Sequence, residues 1–275
     1  MKKIISLPYQ LYFFLTKYRI YLSIYFFLIA YNAAKQYNIV SEVLPVIIAF
    51  TMWHYSVYLF NKIYDSTEDR ISQPSEALSD IQKKPLLIFS LFLLFSPIGI
   101  LLFFHHSIIP YLFFIPWGIL YSFPLPPNGF RIKQVFLLKN IYSAFFGWTT
   151  PIMVIIYFYS HQKVNALLLC AAFLFTFFVV MVYELIFDIR DRNGDKASNV
   201  ITFPVKFGIM KTKFLCFFFL LLVIAANLYF GNIMAAIFSG YLFLAVLFIN
   251  EKTPNWYYHF ILLGHIVLVS LSWLL

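Results

Sequence analysis

The stretch LPVIIAFTMWHYSVYLFNKIYDSTED, residues 44–69, passes without a break from an apolar run into a cluster of carboxylates. Its apolar part approaches the length of a bilayer crossing, which takes about 20 helical residues. Asp65, Glu68 and Asp69 follow within five residues. Ionisable groups at the end of a membrane helix are expensive and indicate function, so this stretch predicts both a membrane fold and a functional site.

The composition extends the membrane prediction to the whole chain. Of its 275 residues, 62% are hydrophobic and only 11% are charged, and apolar runs recur from end to end. No polar linker long enough to separate two soluble domains interrupts them. We therefore expect an all-α, polytopic membrane protein with a single transmembrane domain, residues 1–275. The start, MKKIISLPYQ, lacks a small-residue cleavage site and is expected to stay attached.

The apolar runs predict nine transmembrane helices. The fourth is short and carries two prolines, Pro110 and Pro116. The predicted spans are Tyr21 to Ala33, Leu44 to Phe60, Leu86 to Phe104, Ile108 to Tyr121, Val135 to Phe158, Val164 to Phe187, Phe214 to Phe230, Ile233 to Ile249 and Tyr257 to Leu275.

The loop charges support this count, because Lys and Arg accumulate in short cytoplasmic loops. With nine spans, 18 of the 20 basic residues fall on one side of the membrane; only Lys35 and Lys163 fall on the other. The N-terminus is therefore expected in the cytoplasm, and the protein in the inner (plasma) membrane with its active site at the cytoplasmic face. The net charge of +9 follows from the same bias and calls for no nucleic-acid partner; the expected surroundings are the lipid bilayer.

Two acidic stripes occupy that face. In the second span and the residues that follow it, His54, Tyr58, Asn61, Asp65 and Asp69 step by three or four residues and share one helix face. In the sixth span and the residues that follow it, a second stripe is formed by Glu184, Asp188, Asp191 and Asp195. Two facing carboxylate stripes predict a Mg²⁺ site that bridges the protein to phosphate groups of a substrate. The predicted metal ligands and catalytic residues are Asn61, Asp65, Asp69, Asp188, Asp191 and Asp195.

Basic residues beside the stripes are candidates for binding a diphosphate and stabilising it as a leaving group. For any one of them, simple anchoring at the cytoplasmic face is an equally good interpretation. The candidates are Arg70, Lys84, Arg131, Lys133, Lys139 and Lys196; Arg190 and Arg192 interleave with the second stripe.

Three residues deeper on the stripes are candidates for contact with an acceptor or the cavity wall. Tyr58 and His54 lie one and two turns below Asn61, although a hydrogen bond to a neighbouring helix is the better-supported role for His54. Glu184 lies at least a turn inside its apolar span, where an ionisable group indicates function. Glu68, by contrast, points off the stripe and is expected in solvent.

The pattern resembles the UbiA superfamily of intramembrane prenyltransferases. The matching residues are Asn61, Asp65 and Asp69 in NxxxDxxxD; Asp188, Asp191, Gly194 and Asp195 in DxxDxxGD; Thr202 and Pro204 behind it; and the pair Lys84-Pro85. Lys62 departs from the pattern, since many members carry Asp there.

The resemblance implies transfer of a polyprenyl group from an isoprenyl diphosphate to a lipophilic or aromatic acceptor. Mg²⁺ would neutralise the departing diphosphate, and a quinone precursor is the first candidate acceptor. A cation-coupled transporter is the main alternative, but transporters usually place such carboxylates near the bilayer midplane rather than at one face. A structural subunit with acidic loops is a second alternative.

Overall fold

The computed structural model describes residues 7–124, 129, 131–160 and 164–271, and within these ranges every regular element is a helix. The α-helices are α1 (Leu7–Lys17), α2 (Ile20–Gln36), α3 (Val40–Tyr64), α4 (Ser66–Ser72), α5 (Asp80–Phe103), α6 (Ile109–Ser122), α7 (Leu138–Tyr142), α8 (Thr150–Phe158), α9 (Ala166–Ala197), α10 (Phe203–Tyr229), α11 (Ile233–Leu247) and α12 (Asn255–Leu271). The predicted all-α fold is confirmed. The predicted end of the ninth span at Leu275 lies outside the described residues.

Each predicted span corresponds to one helix or to one broken helix, but the helices differ in length. In the described part of the chain, five are long and apolar enough to cross a membrane, and a sixth candidate is the pair α1–α2, bent by 77°. Three shorter apolar helices complete the set: α6, α11 and α12. The chain is therefore an integral membrane protein by its helices, while the count of nine stays a prediction.

The bend between α1 and α2 lies at Arg19. Its backbone is left-handed, with φ of 56°, and the backbone N–H of Arg19 bonds to the carbonyl of Thr16 at 3.1 Å rather than continuing the α-helical pattern. The bend turns the Arg19 side chain inward, where only 9% of the residue is exposed. A basic residue from the start of the first span thus reaches the interior of the bundle.

The fifth span is not the single helix that was expected over Val135 to Phe158. It consists of a 3₁₀ turn (Ile132–Gln134), α7, a π-helical segment (Ser143–Thr149) and α8. Leu137, with φ of 63°, separates the first two pieces. Pro151 lacks an N–H and cannot donate the helical bond one turn back, which favours irregular winding immediately before it.

The sixth span continues well beyond its predicted end at Phe187. Helix α9 has 32 residues, or about 48 Å at 1.5 Å per residue, against a hydrocarbon core of about 30 Å. The sequence DIRDRNGD therefore forms the last turns of a helix and not a loop. Because the helix is unbroken, the carboxylates of the second stripe keep their helical spacing.

The core is built largely from aromatic side chains. Phe26, Phe50, Trp53 and Phe114 are at most 1% exposed, and the last three pack edge to face at centroid distances between 5.4 and 6.4 Å. Lipid tails are as apolar as these rings, so packing contacts and not hydrophobic burial alone hold such helices together.

Candidate active site

The first stripe keeps its helical register although α3 ends at Tyr64. The backbone N–H of Asp65 bonds to the carbonyl of Asn61 at 2.9 Å, and that of Asp69 bonds to Asp65 at 2.9 Å. The chain thus continues from α3 into α4 with the three side chains on one face. All three line a cavity of about 100 Å³.

The second stripe lines the same cavity from α9. Asp188, Asp191 and Asp195 face it, and Glu184 lies one turn deeper on the same wall. The two stripes, more than a hundred residues apart in sequence, therefore meet across one space. His54, Tyr58, Lys133 and Lys139 also line it, as the sequence predicts.

The first motif is held by cations from the segment before α7. Asp65 contacts both Lys133 and the Arg131 guanidinium, the latter at 3.1 Å. Burial disfavours the charged form of Asp65, but the positive charges of Lys133, Arg19 and Arg131 outweigh it and hold the pKa of this carboxyl below its ordinary value. Asp65 is therefore ionised in this site.

The structure corrects the expectation for Glu68. It is only 6% exposed, and it pairs with Arg131 at 2.6 Å and with Lys133 at 2.5 Å. The short helix α4 does not simply prolong the stripe, because it also packs against α9 and turns Glu68 toward the segment before α7. Glu68 is thus a buried member of the charge network.

Asp69 has two cations of its own. The Lys62 ammonium lies 2.7 Å from Asp69 Oδ2, and Arg19 lies 3.5 Å from Asp69 Oδ1. Lys62, which departs from the family pattern, is completely buried. The charge of Lys62 is matched by the carboxylate of Asp69, so a lysine at this position leaves no unpaired charge inside the protein.

The second motif is bridged by one lysine. Lys139 Nζ lies 2.7 Å from Asp188 and 3.3 Å from Asp195, and Asn140 donates a further hydrogen bond of 2.7 Å to Asp188. Asp191 is held separately: Arg190 pairs with it at 2.8 Å and Gln73 donates to it at 2.7 Å. Each carboxylate of both motifs thus has a positively charged neighbour.

Three of the predicted diphosphate ligands lie elsewhere. Arg70 is exposed and pairs with Asp80 at 3.3 Å, and both Lys84 and Lys196 are exposed and outside the cavity lining. Arg19, which was not among the predicted ligands, does line the cavity. Its only signal in the sequence is a basic residue at the boundary of the first span, which looks like ordinary membrane anchoring.

The deeper part of the cavity is aromatic. His54 Nδ1 and the Ser23 hydroxyl on α2 share a hydrogen bond of 3.1 Å, as expected for a buried histidine. The other ring nitrogen, Nε2, has no hydrogen-bond partner among the described residues. Trp148 donates to the Tyr58 hydroxyl at 2.9 Å, and Ser143 donates to Glu184 at 2.7 Å. Ser143 opens the π-helical segment, so the irregular winding there supplies a contact that the sequence did not indicate.

The donor set suits Mg²⁺ chemically, since it consists of carboxylate oxygens and one amide on facing walls. The residues that would hold the ion are those of the two stripes. In the described ranges no three Asp, Glu, His or Cys side chains converge on one point, because ammonium and guanidinium groups stand between the carboxylates. Binding of Mg²⁺ here would therefore require those cations to move off the acids.

The contact between α4 and α9 depends on Gly194. Its N–H bonds to Ser72 Oγ at 3.0 Å, and a Cβ at this position would lie 2.1 Å from Ser72 Oγ and 2.8 Å from the Glu68 carbonyl. We expect Gly194→Ala to lower stability by roughly 2 kcal/mol through overpacking, measured as the melting temperature of the purified protein in detergent. Gly99→Ala, where a Cβ meets no atom within 4 Å, is the control, and equal melting of the two variants would contradict the contact.

Two curated relatives share 26% identity with this chain. Both are named digeranylgeranylglyceryl phosphate synthase: one from Saccharolobus solfataricus, matched over 56% of this chain and 53% of its own length, and one from Sulfurisphaera tokodaii, matched over 70% and 68%. The chain thus spans about half the length of the first and about two thirds of the second.

Solved structures of low sequence identity share the fold. A UbiA homologue from Aeropyrum pernix K1 superposes with a TM-score of 0.68 at 11% identity, covering 93% of this chain and 98% of that one. A UbiA homologue from Archaeoglobus fulgidus bound to DMAPP and Mg²⁺ superposes with a TM-score of 0.60 at 15% identity, covering 93% and 97%.

A family model covers nearly the whole chain and includes both motifs. The matched residues are 20–269, and the model is that of the UbiA prenyltransferase family. The resemblance seen in the two motifs is thereby confirmed. The chain belongs to the UbiA prenyltransferase family.

Proposed function

We propose that this protein is a membrane-embedded, Mg²⁺-dependent prenyltransferase that moves a polyprenyl group from an isoprenyl diphosphate to a lipophilic or aromatic acceptor. The observation that carries the proposal is the meeting of two acidic stripes across one cavity that also holds buried cations and an aromatic floor. A diphosphate with its metal ions needs the acidic stripes and the buried cations. An allylic carbocation needs the aromatic side chains.

The charged end of the cavity would bind the diphosphate. Carboxylates of both motifs would hold Mg²⁺, whose chemistry is to neutralise the diphosphate as it leaves. Lys133 and Lys139, now paired with these carboxylates, would turn to the diphosphate oxygens and form charge-assisted hydrogen bonds. Each lysine exchanges one anionic partner for another, so no buried charge is left unpaired.

The aromatic end of the cavity would hold the carbocation. Trp117, Tyr121, Tyr142 and Phe146 line it together with Tyr58. A cation over an aromatic face gains about 0.5–2 kcal/mol per ring. These side chains also keep water away, so that the acceptor and not water captures the cation.

The acceptor is the least constrained part of the proposal. A quinone precursor remains a candidate, and the two curated relatives add a second, because both are named for a product that contains glyceryl phosphate. The buried His54 imidazole, whose Nε2 has no hydrogen-bond partner among the described residues, would bond a polar group of either acceptor. The proposed location is the inner (plasma) membrane with the cavity mouth at the cytoplasmic face.

The proposed function is tested by following product mass. The full chain is purified in lipid nanodiscs and given geranylgeranyl diphosphate, Mg²⁺ and, in parallel, hydroxybenzoate, homogentisate or geranylgeranylglyceryl phosphate. We expect one acceptor to gain the mass of the prenyl group with release of one diphosphate per product. A cation-coupled transporter would instead accumulate a solute in proteoliposomes and form no product; that result would overturn the proposal.

A further inference from the structure

Three hydrogen-bonded side chains lead away from the wall of the site cavity. Tyr21 on α2 lines the cavity, and its hydroxyl lies 2.8 Å from Nδ1 of His259 on α12. His259 Nε2 lies 2.9 Å from Oε1 of Glu76, in the loop between α4 and α5. Tyr21 and His259 are each 1% exposed, and Glu76 is 6% exposed. We call these three residues, which come from distant parts of the chain, the triad.

The chemistry of the triad gives each hydrogen bond a direction. Burial disfavours the charged form of Glu76, but its hydrogen bond to His259 and the positive charge around it outweigh burial and hold the pKa of this carboxyl below its ordinary value. An ionised carboxylate only accepts hydrogen bonds, so His259 Nε2 carries the proton that it shares with Glu76. In the neutral imidazole, Nδ1 then accepts from the Tyr21 hydroxyl.

Contacts on both sides hold the triad in place. Asn255 lies one turn before His259 on α12, and its side chain donates a hydrogen bond of 3.0 Å to the carbonyl at the end of α4. The N–H of Glu76 bonds to the Gln73 carbonyl at 2.9 Å, and the Gln73 side chain donates to Asp191 at 2.7 Å. The loop that carries Glu76 is therefore tied both to α12 and to the second motif.

The carboxylate distinguishes His259 from two other buried histidines. His54 bonds to a serine hydroxyl at 3.1 Å. His265 bonds to two tyrosine hydroxyls, one of them that of Tyr25 at 3.0 Å. Of these three histidines, His259 is the one with a carboxylate partner among the described residues. A carboxylate behind an imidazole orients the ring and stabilises the imidazolium that forms when it takes a proton. The triad is therefore built as a base.

Prenyl transfer needs a base at this cavity, because the acceptor loses a proton when it captures the carbocation. A base must lie within hydrogen-bond reach of that proton. The aspartates of the two motifs are each paired with a cation, and in the proposed function they would hold Mg²⁺. A carboxylate stabilised in its ionised form by positive charge is a poor proton acceptor.

We propose that the triad receives the proton of the acceptor, with Tyr21 as the group that touches it; this rests on the proposed function of the site. The nucleophilic atom of the acceptor forms a bond to the terminal carbon of the prenyl cation, whose bond to the diphosphate oxygen has broken. The acceptor's proton moves to the Tyr21 oxygen while the hydroxyl proton of Tyr21 moves to His259 Nδ1. The imidazolium so formed is paired with Glu76, and loss of one proton to water restores the triad.

The test compares Tyr21→Phe with Tyr25→Phe in the full chain in nanodiscs. Product formation is followed with geranylgeranyl diphosphate, Mg²⁺ and hydroxybenzoate, homogentisate or geranylgeranylglyceryl phosphate. We expect Tyr21→Phe to slow product formation about a hundredfold, as for the loss of a general base, and to leave donor affinity unchanged. Its solvent deuterium isotope effect should exceed that of the parent protein, because removal of the proton then limits the rate.

Tyr25→Phe is the matched control. It removes a hydroxyl that also bonds to a buried histidine, one turn further along α2, but Tyr25 does not line the site cavity. It should form product at the rate of the parent protein. Equal rates for the two variants, or a loss in Tyr21→Phe without the larger isotope effect, would overturn the role of the triad while the proposed function stands.

Glu76→Gln is a second variant, whose amide oxygen can still accept from His259 but carries no charge. It should also slow product formation with a larger isotope effect. Combined with Tyr21→Phe it should cause no further loss, because residues of one relay act as a unit. Additive losses would contradict the relay.

The alternative base is Glu184, which also lines the cavity. A larger isotope effect in Glu184→Gln and not in Tyr21→Phe would overturn the role of the triad. Failure of the unaltered protein to prenylate any of the three acceptors would instead overturn the proposed function, and the role of the triad with it.

Discussion

Replacing either Asp65 or Asp191 by asparagine is expected to lower turnover at least about a thousandfold, because in the proposed mechanism each would remove a charged ligand for Mg²⁺ where negative charge develops on the leaving diphosphate. The two residues belong to different motifs and come from opposite walls of the cavity. Diphosphate release under saturating donor and acceptor is the measurement. Asparagine keeps the shape of the side chain and one oxygen, so the loss reports charge rather than packing.

The control for this experiment is Asp80→Asn. Asp80 is exposed at the start of α5 and pairs with Arg70 and Lys83 outside the cavity. Its replacement should leave turnover within about twofold, as expected for an exposed ion pair. If Asp65→Asn and Asp191→Asn also kept full turnover while melting like the parent protein, the assignment of the two motifs to the site would be wrong.

Replacing Lys139 by methionine is expected to have two opposite effects. Donor affinity should fall about a hundredfold, because the buried diphosphate loses a charge-assisted hydrogen bond. Binding of Mn²⁺ without donor should become tighter, because Lys139 no longer occupies the carboxylates of Asp188 and Asp195. Titration of donor and electron paramagnetic resonance of Mn²⁺ measure the two effects separately.

Lys211→Met is the matched variant for Lys139→Met. Lys211 is exposed on α10 and contacts the ring of Phe207 at 6.0 Å, remote from both motifs. Its replacement should change neither the affinity for the donor nor the affinity for Mn²⁺. Weaker Mn²⁺ binding by the Lys139 variant would mean that this lysine supports the metal site and does not compete with metal for it.

Much of the fold and of the site could be read from the sequence because both depend on periodic patterns. Apolar runs predict where helices cross, and spacing by three and four residues predicts that Asn61, Asp65 and Asp69 share a face. The second stripe keeps its helical spacing for the same reason, even though α9 continues beyond the predicted end of the sixth span at Phe187. Local helical geometry needs no knowledge of neighbouring helices.

The remaining features depend on contacts between distant segments. Glu68 is buried because Arg131 and Lys133 approach it from another part of the chain. Arg19 reaches Asp69 because the backbone bends before α2. The broken fifth span depends on backbone geometry at Leu137 as well as on Pro151. Spacing along a single helix carries no signal for such contacts.

The ion pairs of the site also bear on how the protein is made. The five carboxylates of the two motifs and that of Glu68 would, without partners, repel one another and oppose the packing of α3, α4 and α9. Here Arg19, Lys62, Arg131, Lys133, Lys139 and Arg190 supply the compensating charge from within the chain. The packing of these helices therefore needs no metal ion to balance the negative charge of the two motifs.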